Sequence, residues 1–311
     1  MKLFLGVDGG QSATKAVIGD ENGRILGAGQ AGPCNHTSGA EGRAKLEGAV
    51  LGCVNAACQE AAIDRQTVSF EAACFGMSGG PDDKEAILAD ILRAGRLVVT
   101  TDAVIALAGA TETGHGIITI AGTGSIAFGR NAAGRSARTG GWGYIYGDEG
   151  SAFDIGRQAL RAILRMEEGW GPFTRLHESL LSATGSRSAN EALHLFYTPD
   201  WPRQRVARLA PMVDSVAAEG DAVAMAILHS AAQDLATLAA AIRRQLWKEG
   251  ESVQISYIGG AFRSALLLER FRYLVELEPR SSCVAPKWGP AEGALLEAYR
   301  SVGMQVRIMR G

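Results

Sequence analysis

The sequence predicts an α/β fold built from two related domains, on three observations. Three short strands are followed by helix–strand–helix–strand, a mixed order that argues for a partly parallel sheet with helices on its faces. A strand–glycine turn–strand unit at the start of the chain recurs roughly 115 residues later, which suggests two copies of one plan facing one another. Glycine supplies 40 of 311 residues, about 13% against a usual ~7%. The chain is 47% hydrophobic, so this glycine marks tight turns and ligand-approach sites rather than disorder or collagen.

Residues 2–8 form an apolar strand that runs into Gly9-Gly10. Strands follow over 12–19 and 24–29, joined by Asp20-Glu21-Asn22-Gly23, whose Asn-Gly suits a hairpin. Residues 39–62 place Leu46, Val50, Leu51, Val54 and Ala57 at helical spacing. A strand over 68–77, a helix over 83–93, a buried strand over 96–100 and a small-residue helix over 103–110 complete the first copy. The second copy opens with a strand over 116–121, Gly122-Thr123-Gly124-Ser125, a strand over 126–130 and a polar turn over 131–134. Helices are expected over 153–166 and 176–196, then two long ones over 203–249 broken at 219–221. A strand over 253–258 meets Gly259-Gly260, and a helix over 266–275, a strand over 283–285 and a helix over 290–300 follow. The first domain is placed at 1–112 with the C-terminal helix 291–311 packed back onto it, and the second at 113–290.

Lys+Arg 31 against Asp+Glu 33 gives a net charge of −2 with no block of one sign, which argues against nucleic acid as a partner. Apolar runs such as 235–242 stop short of the ~18–20 residues of a membrane span, and the run 3–7 is too short for a signal segment. Cys34, Cys53, Cys58, Cys74 and Cys283 show no metal-ligand spacing and read as free thiols in a reducing cytosol.

Several strand ends carry chemistry. Asp8-Gly9-Gly10-Gln11-Ser12-Ala13-Thr14 offers close backbone N–H groups to an anion, hydroxyls at Ser12 and Thr14, and a carboxylate for a hydrated cation. A plain hairpin turn explains the same glycines. Gly122-Thr123-Gly124-Ser125 repeats that equipment in the second copy. Gly259-Gly260, with Ala261 and Phe262, could let a flat base lie against backbone. Asp102 either caps the next helix or sits ready to accept a proton from a substrate hydroxyl. Gly140–Gly143 around Trp142, with Gly147-Asp148-Glu149-Gly150, combines an aromatic ring, carboxylates and exposed backbone, as a sugar site needs; Asp148 as a helix cap is the alternative.

Taken in order, these stretches resemble the sugar-kinase/actin/heat-shock-protein ATPase superfamily, and within it the N-acetylglucosamine kinase group related to the BadF/BadG/BcrA/BcrD ATPases. Asp8–Thr14 is similar to the first phosphate loop and Ala121–Ser125 to the second. Thr100-Thr101-Asp102-Ala103 resembles the catalytic-aspartate segment, and Ile258-Gly259-Gly260-Ala261 the adenosine segment. Residues 140–152, GGWGYIYGDEGSA, resemble the kinase signature nearly letter for letter, and Cys34-Asn35-His36 resembles its sugar-binding Asn-His pair. Gln11 stands where many relatives carry a third glycine, and Ile126 where animal members offer a sugar-contacting amide.

The resemblance implies two ribonuclease-H-like (actin-like) domains around a cleft, and ATP-dependent phosphorylation of the 6-hydroxyl of an amino sugar, N-acetylglucosamine first, with Mg²⁺. Asp102 would be the base. Asp8, Gly9, Gly10, Gln11, Ser12, Gly122, Thr123, Gly124, Gly259, Gly260 and Ala261 would hold nucleotide, with Asp8 acting on Mg²⁺ through water. Asn35, Ser125, Gly141, Trp142, Gly143 and Asp148 would hold the sugar. Glucosamine, whose 2-ammonium would suit Asp148 and Glu149, is the near alternative, and an activator ATPase coupled to a partner enzyme the distant one. The expected partner is a small sugar, without nucleic acid or membrane, and the expected assembly a cytoplasmic homodimer.

Overall fold

A computed structural model describes residues 1–10, 13–34, 40–78 and 84–310. The chain divides into two compact units, Met1–His115 with Ala285–Gly311, and Gly116–Val284.

In the first unit, β1 (Leu3–Gly9), β2 (Thr14–Asp20) and β3 (Arg24–Ala31) form an antiparallel meander. The β2–β3 turn is built by Asp20, whose Oδ1 accepts from the N–H groups of Asn22 and Arg24, both at 2.9 Å. Helix α1 (Ala40–Glu60) crosses to β4 (Phe70–Met77), parallel to β1. Helix α2 (Glu85–Ile91) leads to β5 (Ala94–Thr101), parallel to β4, and α3 (Asp102–Thr111) follows directly.

The second unit repeats this plan. A meander of β6 (Gly116–Ala121), β7 (Ser125–Arg130) and β8 (Ser136–Gly140) is joined by two parallel strands, β9 (Val253–Ile258) and β10 (Ser281–Val284). The first sheet runs β11-β3-β2-β1-β4-β5, with β11 (Met309–Arg310) at its edge, and the second β10-β9-β6-β7-β8. Apart from β11 the two orders are the same when read from opposite ends, so the recurrence in the sequence is a repeat of topology. Between β8 and β9 lie α4 (Ala152–Glu167), α5 (Leu176–Thr184), α6 (Ala189–Phe196), α7 (Arg203–Ala207), α8 (Ala210–Ala218) and α9 (Ala222–Leu246); α10 (Ala265–Glu276) joins β9 to β10.

Helix α11 (Pro290–Ser301) belongs to the first unit, where Leu295, Leu296 and Tyr299 join Phe4, Cys74 and Ile105 in a buried cluster. Its approach is backbone to backbone. A Cβ on Gly6 would lie 2.2 Å from Leu295 N, and one on Gly293 would lie 1.9 Å from the Ile105 carbonyl oxygen, so no side chain fits at either position. Tyr299 donates to the Asp20 carbonyl at 2.6 Å, which satisfies its hydroxyl inside the core.

Five details differ from the sequence expectation. β8 is half polar and too short to announce itself. The helix expected over 176–196 is two, because Gly185 takes a left-handed φ of 70° and Ser188 starts a new helix by accepting from Glu191 N at 3.1 Å. The first of the two long helices over 203–249 is itself two, since Pro211 cannot donate to an upstream carbonyl. A 3₁₀ turn (Gly260–Arg263) and β11 were not foreseen. The remaining bounds shift by a few residues.

Helix α9 is long and apolar enough to cross a membrane by length and composition. Its Leu228, Leu235, Ala239 and Ile242 are buried in the core of the second unit, against Ile117 and Leu267. Alanine, not a Leu/Ile run, makes it apolar.

Candidate active site

In the first unit, the carboxyl ends of β1, β4 and β5 are neighbours in register: Asp8 opposite Gly76, Gly9 opposite Met77, and Met77 opposite Thr101. Parallel pairing thus brings Asp8, Gly9, Ser78 and Asp102 to one edge of the sheet, the usual ligand edge of open α/β sheets. Gly10 N donates to Ala13 O at 3.2 Å, and Cys34 N to Gly10 O at 3.0 Å. Gly10 has no left-handed φ; what restricts it is the Ala13 carbonyl oxygen, 2.9 Å from any Cβ placed there. Thr14 is fully buried and donates to Gly32 O at 2.9 Å, so its hydroxyl closes the hairpin and is not presented to a phosphate. Gln11, Ser12 and Asn35 lie outside the described residues.

Asp102 is the first residue of α3, and the cap position belongs to Thr101, whose side chain makes no capping bond. The capping alternative for Asp102 is therefore replaced by a different arrangement. Its Oδ2 accepts from the Ser78 hydroxyl at 2.9 Å and its Oδ1 from Ala103 N at 2.8 Å. Both oxygens keep a lone pair. Ser78 escaped the sequence reading, although Ser78-Gly79-Gly80 at the end of an apolar strand repeats the signal used at Gly9-Gly10.

The carboxyl of Asp8 is raised to about 6, first by burial and then by the charge of Asp102, against the opposing charge of Lys15. Two carboxylates under-compensated by cations are a fitting place for a divalent ion. Among the described residues no group of three or more His, Cys, Asp or Glu gathers as a metal cage. A hydrated Mg²⁺ held mainly by phosphate oxygens needs no such cage.

In the second unit, the turn after β6 is closed by Gly122 N donating to Gly124 O at 2.9 Å, and it receives Ala152 N at Gly122 O, also 2.9 Å. It thereby abuts the start of α4. The Ser125 hydroxyl donates to Glu149 O at 2.6 Å, and Ser125 N donates to Asp148 Oδ1 at 3.1 Å. Gly259, with φ 116°, meets the same turn: a Cβ there would lie 2.3 Å from Ala121 O. Gly260 is open, whereas Ala261 and Phe262 are buried, Phe262 against Phe271 at 5.0 Å. The base-facing surface expected there is thus backbone, and Phe262 is core.

The signature segment is held by Gly140, Gly141 and Gly143, with φ of 74°, 73° and 79°, values a side chain rarely adopts. Trp142 is exposed, and the Arg138 guanidinium lies 4.9 Å over its ring. Asp148 is buried in a left-handed φ of 63° while Glu149 points outward. It does not cap α4, because Ser151 does, accepting from Asp154 N at 3.1 Å. Instead Asp148 Oδ2 accepts from Arg203 Nη2 at 2.6 Å. No local sequence signal points to Arg203.

Known proteins agree with this architecture. The chain is 33% identical to the N-acetylmuramic acid/N-acetylglucosamine kinase of Clostridium acetobutylicum, over 96% of this chain and 98% of that one. It is 31% identical to the N-acetyl-D-glucosamine kinase of Dictyostelium discoideum, with the same coverage. A solved structure assigned as an N-acetylglucosamine kinase of Chromobacterium violaceum matches with a TM-score of 0.74 at 30% identity, covering 95% of this chain and 98% of its own. Residues 5–298 match the BadF/BadG/BcrA/BcrD ATPase family, and the chain belongs to that family.

Proposed function

We propose that the chain is an ATP-dependent kinase that phosphorylates the 6-hydroxyl of an amino sugar, with N-acetylglucosamine as the preferred acceptor. The observation that carries this reading is Asp102 at the sheet edge beside Asp8, held by Ser78 with lone pairs to spare. The activities named for the Clostridium and Dictyostelium relatives support it.

In this reading Asp102 takes the 6-hydroxyl proton as the O6–phosphorus bond forms and the bond from the γ-phosphorus to the bridging oxygen breaks, releasing ADP. Gly9, Gly10, Gln11 and Ser12 would make up the first phosphate loop and Gly122, Thr123 and Gly124 the second; the N–H groups of Gly10 and Gly122 close their own turns, to Ala13 O and Gly124 O. Gly259, Gly260 and Ala261 offer backbone to the adenosine. Asp8 would hold Mg²⁺ through water, and that ion supplies charge neutralisation of the β- and γ-phosphates. Asn35, Ser125, Gly141, Trp142, Gly143 and Asp148 hold the sugar.

The ion pair of Asp148 with Arg203 bears on the acceptor. A carboxylate already neutralised has little to offer the 2-ammonium of glucosamine, which favours a neutral acetamido group. The five cysteines are buried and free, which disfavours an activator ATPase that would present thiols to a shared cluster. An ADP-release assay over glucose, glucosamine, N-acetylglucosamine and N-acetylmannosamine tests the reading. Turnover dependent on sugar and highest with N-acetylglucosamine is expected; sugar-independent turnover would overturn it.

A further inference from the structure

A cavity of about 680 Å³ opens in the second unit beside α4, α6 and α7, a size typical of small-molecule sites. Its walls are aromatic: Phe196 stacks on Trp201 at 5.3 Å, and Tyr144 meets Phe153 edge-on at 5.3 Å. Three guanidinium groups line it. Arg157 is neutralised by Asp154 at 2.6 Å and Arg203 by Asp148 at 2.6 Å. Arg161 has no hydrogen-bond, ion-pair or ring partner among the described residues.

We propose that this cavity binds a carboxylate carried on a short apolar body, with Arg161 as its counter-ion. Aromatic walls gain from apolar surface and disfavour a strongly hydrated polyanion. One unpaired guanidinium matches one carboxylate, which it can hold by two parallel bonds. The cavity reaches the candidate active site at Arg203, which bonds Asp148 and lies against the β6–β7 turn, where a Cβ on Gly124 would come 2.7 Å from Arg203 Nη2. Arg203 Nε is buried without a partner, so the pair with Asp148 leaves this guanidinium with donor capacity unused. The carboxylate can therefore come from a free acid or from a substituent on the sugar itself; the second source rests on the amino-sugar reading above.

Calorimetric titration of the full chain with phenylacetate, N-acetylglucosamine and N-acetylmuramic acid, the last being the same ring with a carboxylate-bearing ether, tests this directly. Arg161→Ala should weaken at least one carboxylate probe tenfold or more, Arg161→Lys should retain part of the affinity, and N-acetylglucosamine should be unaffected. A loss confined to N-acetylmuramic acid identifies the substituent as the source, and a loss confined to phenylacetate the free acid. No carboxylate binding tighter than about 10 mM, or unchanged affinity in Arg161→Ala, overturns the inference. If N-acetylglucosamine neither binds nor drives ADP release, the amino-sugar reading fails by itself and the phenylacetate arm still decides the cavity.

Discussion

Arg203 donates to Asp148 across 55 residues of chain at 2.6 Å, and the carboxylate it holds is buried. The pair ties the start of α7 to the loop before α4 and fixes the oxygen that receives Ser125 N. Arg203→Met leaves that carboxylate buried without its counter-ion, with Ser125 N as its remaining donor. Breaking a buried pair from one side typically costs ~3–5 kcal/mol; since Arg203 is partly exposed, about 2–3 kcal/mol is expected here. Urea unfolding measures it, and Arg203→Met with Asp148→Asn should recover at least half of the loss.

Asp148→Asn keeps the acceptor for Ser125 N, and Asn tolerates the left-handed φ of 63° that would strain an alanine. The variant should stay folded while losing a carboxylate oxygen proposed to accept from a sugar hydroxyl. A lost bond of this kind costs about 1–3 kcal/mol, so the sugar KM should rise roughly tenfold to a hundredfold with the ATP KM little changed. Equal damage to both constants would make the residue purely structural.

Gly10→Val places a β-branched side chain where a Cβ already lies 2.9 Å from Ala13 O. The first turn must open, and ATP affinity by calorimetry should fall at least tenfold. Unchanged affinity would reduce Gly9-Gly10 to a hairpin turn.

The strands that end in glycine-rich turns were legible because β1, β6 and β9 are apolar runs halted by residues with special backbone freedom. Their repetition announced the doubled topology. What escaped depends on distance in sequence: Arg203 lies 55 residues and three helices, α4 to α6, beyond Asp148. Gly185 and Pro211 are written in the chain, yet a continuous helical pattern on both sides hid their breaks. The capping readings of Asp102 and Asp148 failed for a local reason, since Thr101 takes the cap position of α3 and Ser151 caps α4.

Asp221 accepts four bonds: two cap α9, from Val223 N at 3.0 Å and Ala224 N at 2.9 Å, and two tie it to the segment before α5, from Thr174 Oγ1 at 2.9 Å and Arg175 N at 2.8 Å. Burial raises its carboxyl, but these bonds outweigh burial and hold it below the usual aspartate range. A lowered folded-state value stabilises above the unfolded one and is lost as pH falls through the folded one. Asp221→Asn should therefore cost about 1–2 kcal/mol at neutral pH, and the gap to wild type should shrink below about pH 4. Urea melts at pH 7 and pH 3 measure it; a gap independent of pH would contradict the assignment.

Asp102→Asn tests the proposed reaction most directly. The amide can still accept from Ala103 N, and the Ser78 hydroxyl can turn to accept from it, so fold and ligand affinities should change little. What disappears is the proton acceptor, usually worth about 10²–10⁴-fold in rate. Measured as sugar-dependent ADP release with N-acetylglucosamine, kcat should fall by that order while the sugar and ATP dissociation constants stay within about tenfold, as expected when only a transition-state interaction is lost. A variant that turns over at near wild-type rate would contradict the account.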